Sequence, residues 1–531
     1  MTFTSLLERF ALAFFLLASL AITPLYARTP DDTLIVAQNI ADIITLDPAE
    51  TFEPTGGEII NNLYVRLITY DAAFRNLEGG VAQSWEVSQD GRTFSFTLRP
   101  NLKFHSGNPV RPEDAAFSLR RVVKLGLTPA FILTQYGWTP ENVDQKVAVK
   151  GGKLILSLNK GWAPTLVLNT LTSGIASVVD EKEVMKHEKN GDLGHAWLRT
   201  NAAGSGAFRL KQWKAGEAIV LEAFSAYYKG RPPLQRVIVR HVQEPASQRL
   251  LLEKGDVDIA RNLLPEHLKD LKGNTDIRIQ AETKVSELYL ALNQTHKILS
   301  IPEVRQALHH LVNYPSISRD LLGGSWVEQQ SFIPQGVMGA IGDKPFSFDP
   351  DKAKALLKKA GYPNGFEISL NVKNAFPDPQ IAQVLQADFA KAGIRLKLDM
   401  VDQVQMWARY RKRQHDISLA YWSHDYNDPH SSVDFLLVNS DDGENASNRG
   451  ASWRTHWKTP PKHLKTIDAL TQEKDAAKRA AGYATLQREL LWEAPFVFLV
   501  QNNEQNALRR NVKGFVSGPA FDTPTYAFVK K

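Results

Sequence analysis

Residues 368–398, ISLNVKNAFPDPQIAQVLQADFAKAGIRLKL, decide the fold class. Ile368–Val372 and Ile394–Leu398 have the short, apolar-rich pattern of strands, and the stretch between them, Gln380–Ala392, has the spacing of a helix. Strand, helix and strand in that order make a β-α-β unit, so an α/β domain is predicted. Working outward, Asp351–Ala360 is a helix stopped by Gly361 and Pro363. Upstream, Thr33–Gln38, Lys153–Leu158 and Ala218–Ala223 read as strands, and Glu113–Lys124 reads as a helix with Pro112 as its start signal. Thr93–Leu98 alternates polar and apolar residues just after the hairpin-type turn Asp90-Gly91. The apolar stretches Ser286–Asn293 and Phe496–Gln501 are expected as the two hinge strands, with residues 294–495 forming one lobe between them. No internal repeat or low-complexity linker interrupts the chain.

The composition is that of an ordinary globular protein: 531 residues, 43% hydrophobic and 23% charged. The 63 Lys and Arg exceed the 57 Asp and Glu by only 6, and they are scattered. The densest basic cluster, Arg409, Arg411, Lys412 and Arg413, is one short helix edge that reads as a solvated face, so no nucleic-acid partner is expected. Phe10–Ile22 is an apolar run of signal-peptide size, shorter than a membrane span, and Ala27 offers a small residue for cleavage before Arg28. Residues 1–27 are therefore expected to be a removed leader. The sequence contains no cysteine. That excludes disulfides and a lipid tether at an N-terminal cysteine, so an untethered exported protein points to a periplasm.

Several motifs resemble, in order, those of the bacterial extracellular solute-binding family that includes oligopeptide-, dipeptide- and nickel-binding proteins. They begin with Ala82–Trp85, Thr93–Arg99, Lys103–Gly107 and Pro112–Ser118. Gly204–Phe208 with Tyr227–Gly230, Gly255–Asp258, Val304–Leu308 and Asp349–Pro363 follow. The resemblance implies a two-lobed periplasmic-binding-protein fold, type II-like (cluster C), with an extra subdomain in the first lobe. On that pattern lobe I spans residues 28–293 with an insert near 62–185, lobe II spans 294–495, and 496–531 returns to lobe I. The chain departs from the family at Asn313, where an Asp is common; a structural role is expected there. The implied function is that of a monomeric receptor that binds a small peptide-like solute between its lobes and delivers it to the permease subunits of an ABC importer. No cofactor is expected.

The stretch Trp422–Pro429 follows the strand Ile417–Tyr421, so it emerges where α/β clefts take their ligands. It resembles the family loop whose Asp pairs with a peptide ammonium, and Asp425 stands at that position. A desolvated ammonium needs a charged, hydrogen-bonded partner. Trp422 and Trp407 match cleft tryptophans of the oligopeptide binders, and Tyr426 is taken as a further contact. Phe52 and Glu53 lie in a segment that resembles the one running beside the ligand backbone. Four residues, His424, Asp425, Asp428 and His430, invite a metal reading, but one loop around a Pro has no fixed ligand register, so no metal site is assigned. Arg449 and Arg454 are candidates to clamp a carboxylate or phosphate, against the reading of a solvated loop. Ser205 and Ser325 fail the G-x-S-x-G pattern because Ala203 and Val327 replace glycines, and no P-loop or HExxH is present. An enzyme is not expected. The alternatives are an exported peptide hydrolase, or a binder of a chelated metal or a sugar or amino-acid conjugate.

Overall fold

In the computed structural model residues 29–71, 74 and 76–531 are described; the expected leader lies outside them. The strands of the main sheet are numbered along the chain. They are β1 (Thr33–Gln38), β2 (Phe208–Lys214), β3 (Ala218–Ala223), β4 (Arg236–His241), β5 (Ile259–Ala260), β6 (Ile277–Leu292), β7 (Trp326–Glu328), β8 (Glu367–Lys373), β9 (Arg395–Val401), β10 (Ile417–Ser423) and β11 (Phe496–Arg509). Their order is β9-β8-β10-β6-β11-β5-β1-β4-β3-β2, with β7 on β11. The β-α-β unit forms as read. β8 and β9 run parallel with Ile368 opposite Leu396, joined through the helix Asp378–Ala390.

At one end of the sheet β6 alternates between two apolar cores. Leu288, Leu290 and Leu292 enter one with Leu370 and Phe389, and Tyr289 and Ala291 enter the other with Tyr410 and Leu436. This is the period-two consequence of the pleat. At the other end, Leu34, Val36, Val237 and Leu508 share a third core. A separate antiparallel sheet of Ala82–Val87, Thr93–Leu98, Lys153–Ser157 and Val147–Lys150 buries Phe94 and Phe96 against Leu119 and Val122 of the helix Pro112–Leu125.

The two strands linking these ends are longer than their apolar stretches. β6 continues back to Ile277 and β11 forward to Arg509, and these extensions pair with each other. The register shifts between Thr283 and Glu287. The extensions mix polar and charged residues with apolar ones, and hydrogen-bonded ion pairs make that tolerable. Arg261 bridges Glu58 at 2.8 Å and Glu504 at 2.9 Å; the buried Lys284 meets Glu504 at 3.3 Å and donates to the Gly518 carbonyl at 2.7 Å. Gly204 and Gly206 let the chain pass close to the end of the helix Pro54–Leu63. A Cβ at either would lie 2.0 or 2.4 Å from the Leu63 or Asn62 carbonyl oxygen. Asn313 has a local role, accepting from the Ser316 N–H at 3.3 Å.

Candidate ligand-binding cleft

The Trp422–Pro429 loop leaves β10 at its carboxyl end, where the His424 N–H donates to the Val285 carbonyl at 3.0 Å. The loop is therefore tied to the irregular point of β6. Asp428 ends it as the cap of the helix Pro429–Leu437, accepting from the His430 N–H at 2.9 Å. Its two oxygens also receive the Arg479 guanidinium at 2.6 and 2.7 Å, with both side chains fully buried. This bidentate pair fixes the loop three residues beyond Asp425.

A cavity of about 650 Å³ opens beside the loop. Phe52, Glu53 and Pro54 line it from the start of the helix Pro54–Leu63, and Ile132 and Ile175 line it from the region of the separate sheet. Opposite are Trp407, Arg411, Tyr421, Trp422, Asp425, Phe435 and Arg454, with Phe521 and Asp522 arriving from the C-terminal segment. Trp422 stacks on Phe435 at 3.7 Å, and Trp407 meets Tyr421 edge-on at 5.6 Å. The exposed Phe52 contacts Phe131 edge-on at 5.9 Å. Such walls offer apolar area with few geometric demands on a guest.

Asp425 is half-buried, and its backbone N–H donates to Ser431 Oγ at 3.0 Å. Among the described residues no cation pairs with its carboxylate. Burial, then the charges of Asp434 and Asp522, push this carboxyl well above the usual carboxylate range. Asp522 itself is neutralised by Arg66 at 3.0 Å.

Five of the six residues singled out from sequence, Phe52, Glu53, Trp407, Trp422 and Asp425, thus surround one cavity. Tyr426 does not line it. Its side chain turns the other way and is buried in the apolar core of the separate sheet, with Phe94 and Trp162. Asp428 is occupied by Arg479 and His424 Nε2 by Ser432, so both are already engaged within the protein. Arg454 reaches the cavity, whereas Arg449 is held by the Ala446 and Glu444 carbonyls. Sequence reading missed Phe435 and Asp522. Phe435 has the signal of lying one helix beyond the loop; Asp522 comes from about a hundred residues away, with no local signal.

A sequence model of the bacterial extracellular solute-binding proteins, family 5 (middle), matches residues 76–444. The probable D,D-dipeptide-binding periplasmic protein of Escherichia coli strain K12 is 30% identical over 506 residues, covering 94% of each chain. The chain belongs to family 5 of the bacterial extracellular solute-binding proteins. Family 5 proteins bind solutes rather than transform them, and the mixed sheet with its two ends is this family's two-lobed fold. Heme-binding protein A of Haemophilus influenzae is 27% identical over 488 residues, 86% of this chain and 85% of that protein. A periplasmic binding protein of Helicobacter pylori in complex with the peptide STSA superimposes with a TM-score of 0.78 at 22% identity, over 94% of this chain and 98% of that one. Among the described residues no helix is long and apolar enough to cross a membrane.

Proposed function

We propose that this family 5 protein is a periplasmic receptor for a small peptide-like solute with a free ammonium group, which it passes to the permease of an ABC importer. The observation that carries the reading is the Asp425 carboxylate, half-buried on the cavity wall without a cation and close to two further carboxylates. Such a group is poised for an ammonium, whose arrival restores the charge balance that burial disfavours. Aromatic walls supply affinity with little side-chain selectivity. The relatives named for a D,D-dipeptide and for a peptide complex support the same solute class. On this reading the first lobe comprises residues 28–293 with its insert and the returning 496–531, and the second comprises 294–495. The lobes close about Lys284–Ser286, where the β6–β11 register shifts. The leader is removed near Ala27 and the receptor works as a monomer.

The test begins with mass spectrometry of the solute released when the purified protein is denatured. Calorimetry then compares that solute with its N-acetylated form. The native amine should bind at least about tenfold tighter, since acetylation removes the charge that Asp425 meets. Equal affinities would contradict the reading. A peptide pool should also emerge unchanged from prolonged incubation; cleavage would favour the hydrolase alternative.

A further inference from the structure

The second lobe meets the insert at a joint outside the cavity. The core of the separate sheet is built from residues between Ala49 and Val178, and among its described buried members Tyr426 alone comes from elsewhere in the chain. Tyr426 is 6% exposed and shares that core with Phe94, Tyr136 and Trp162. Trp162 also meets the His430 ring at 6.4 Å. Beside these rings, residues 160–165 of the insert are fastened to two helices of the second lobe, Pro461–Gln472 and Ala476–Leu490, and to the turn between them. The Ala163 N–H donates to the Thr471 carbonyl at 2.8 Å. Lys160 donates to Asp468 at 2.5 Å and to Thr471 Oγ1 at 3.1 Å, and Arg479 donates to Thr165 Oγ1 at 3.1 Å. Lys474 donates to the Gln89 carbonyl. None of these residues lines the cavity.

We propose that Tyr426 and the segment 160–165 form a latch by which the insert holds the two lobes closed in the absence of solute. The inference rests on the division into lobes given above and not on the solute class. The joined residues lie on different lobes, so a hinge motion at Lys284–Ser286 must pull them apart. What holds them together uses no solute atom. The buried ring of Tyr426 supplies most of the hold, because the Lys160–Asp468 pair is largely exposed and contributes little. Asp425 and Tyr426 are consecutive, one on the cavity wall and the other in the insert's core. Seating Tyr426 therefore sets Asp425 in place before a solute arrives, and entry and exit both wait for the ring to withdraw.

The chain has no cysteine, so nitroxide labels can be placed at Gln83→Cys in the insert and Lys465→Cys in the second lobe, both exposed positions. Double electron–electron resonance then reads the distance between the lobes in mature protein freed of solute by unfolding and refolding. Without solute, the otherwise unaltered labelled protein should show mainly one short distance. Tyr426→Ala should lower the ratio of short to long distances by about tenfold to a hundredfold, as for the loss of a buried aromatic ring. Tyr426→Phe keeps the ring and should match the unaltered protein. Lys160→Glu sets like charges against each other at the exposed edge of the joint and should lower the ratio about fivefold. A solute-free protein found mainly at the long distance, or a folded Tyr426→Ala with an unchanged distribution, overturns the proposal. If Tyr426→Ala does not fold, an unchanged ratio in Lys160→Glu overturns it. The unaltered protein is also dialysed against a pool of free-amino di- to tetrapeptides. If it retains none, the peptide-like reading fails, and the latch, read without solute, stands or falls on the distances alone.

Discussion

Asp425 and Asp428 stand three residues apart in one loop, yet their carboxylates have opposite circumstances. Asp428 is fully buried with both oxygens on Arg479, which also donates to the Leu470 carbonyl at 2.9 Å and to Thr165 Oγ1 at 3.1 Å. Asp425 faces a cavity and, among the described residues, meets no cation. A buried ion pair with its remaining valences filled is a structural joint, here tying the loop to a helix and to the separate sheet's region. A carboxylate desolvated without a partner is a cost the fold retains, and the simplest reason to retain it is a partner that comes and goes. Glu287 is the third case. It lies opposite Trp422 in the β6–β10 register, is 1% exposed, and neither oxygen has a hydrogen-bond partner among the described residues. It does not line the cavity, so no solute relieves it.

The sharpest way to break this comparison is Asp428→Asn. It leaves Arg479 buried without its counter-charge and should cost about 3–5 kcal/mol of unfolding free energy. Urea denaturation followed by tryptophan fluorescence measures it. A loss below about 1 kcal/mol, as for an exposed pair, would show that the joint is not structural.

Glu287 gives a graded effect. Burial raises its carboxyl well above the usual range, so the folded state holds a proton that the unfolded state releases once the pH passes the ordinary value. Stability therefore falls as pH rises through that window, by about 1.4 kcal/mol per pH unit from this one group. Glu287→Gln removes the contribution, so denaturation curves at successive pH values above the ordinary carboxyl range should show the variant gaining on the wild type. Parallel stabilities across that range would contradict the assignment.

The same contrast between paired and unpaired charge explains what was legible in the sequence. The β-α-β unit and the strand Thr93–Leu98 were readable because their apolar residues keep the period of the element they form. β6 and β11 were readable only over Ser286–Leu292 and Phe496–Gln501. Beyond those stretches Lys284 and Glu504 occupy buried positions that no apolar pattern marks, and only their partners in space make the burial tolerable. In the cleft, Asp425 and Trp422 were found through the loop motif, and Trp407 through the resemblance to cleft tryptophans of the oligopeptide binders. Tyr426 was drawn in by adjacency to Asp425, but its side chain belongs to the core of the separate sheet. Arg413 sat in the same basic cluster as the exposed Arg411, and nothing local marked it as the buried member that pairs with Asp442.

The measurement that tests the account most directly takes affinity and stability from one preparation of Asp425→Asn. With the co-purified solute, calorimetry should show a loss of about 2–5 kcal/mol, roughly thirty-fold to several-thousand-fold, as for a buried cation deprived of its partner. The solute-free variant should melt no lower than the wild type, because an unpaired desolvated carboxyl has been removed. Affinity within threefold of wild type would contradict the claim that Asp425 is the charge the cavity keeps for its guest.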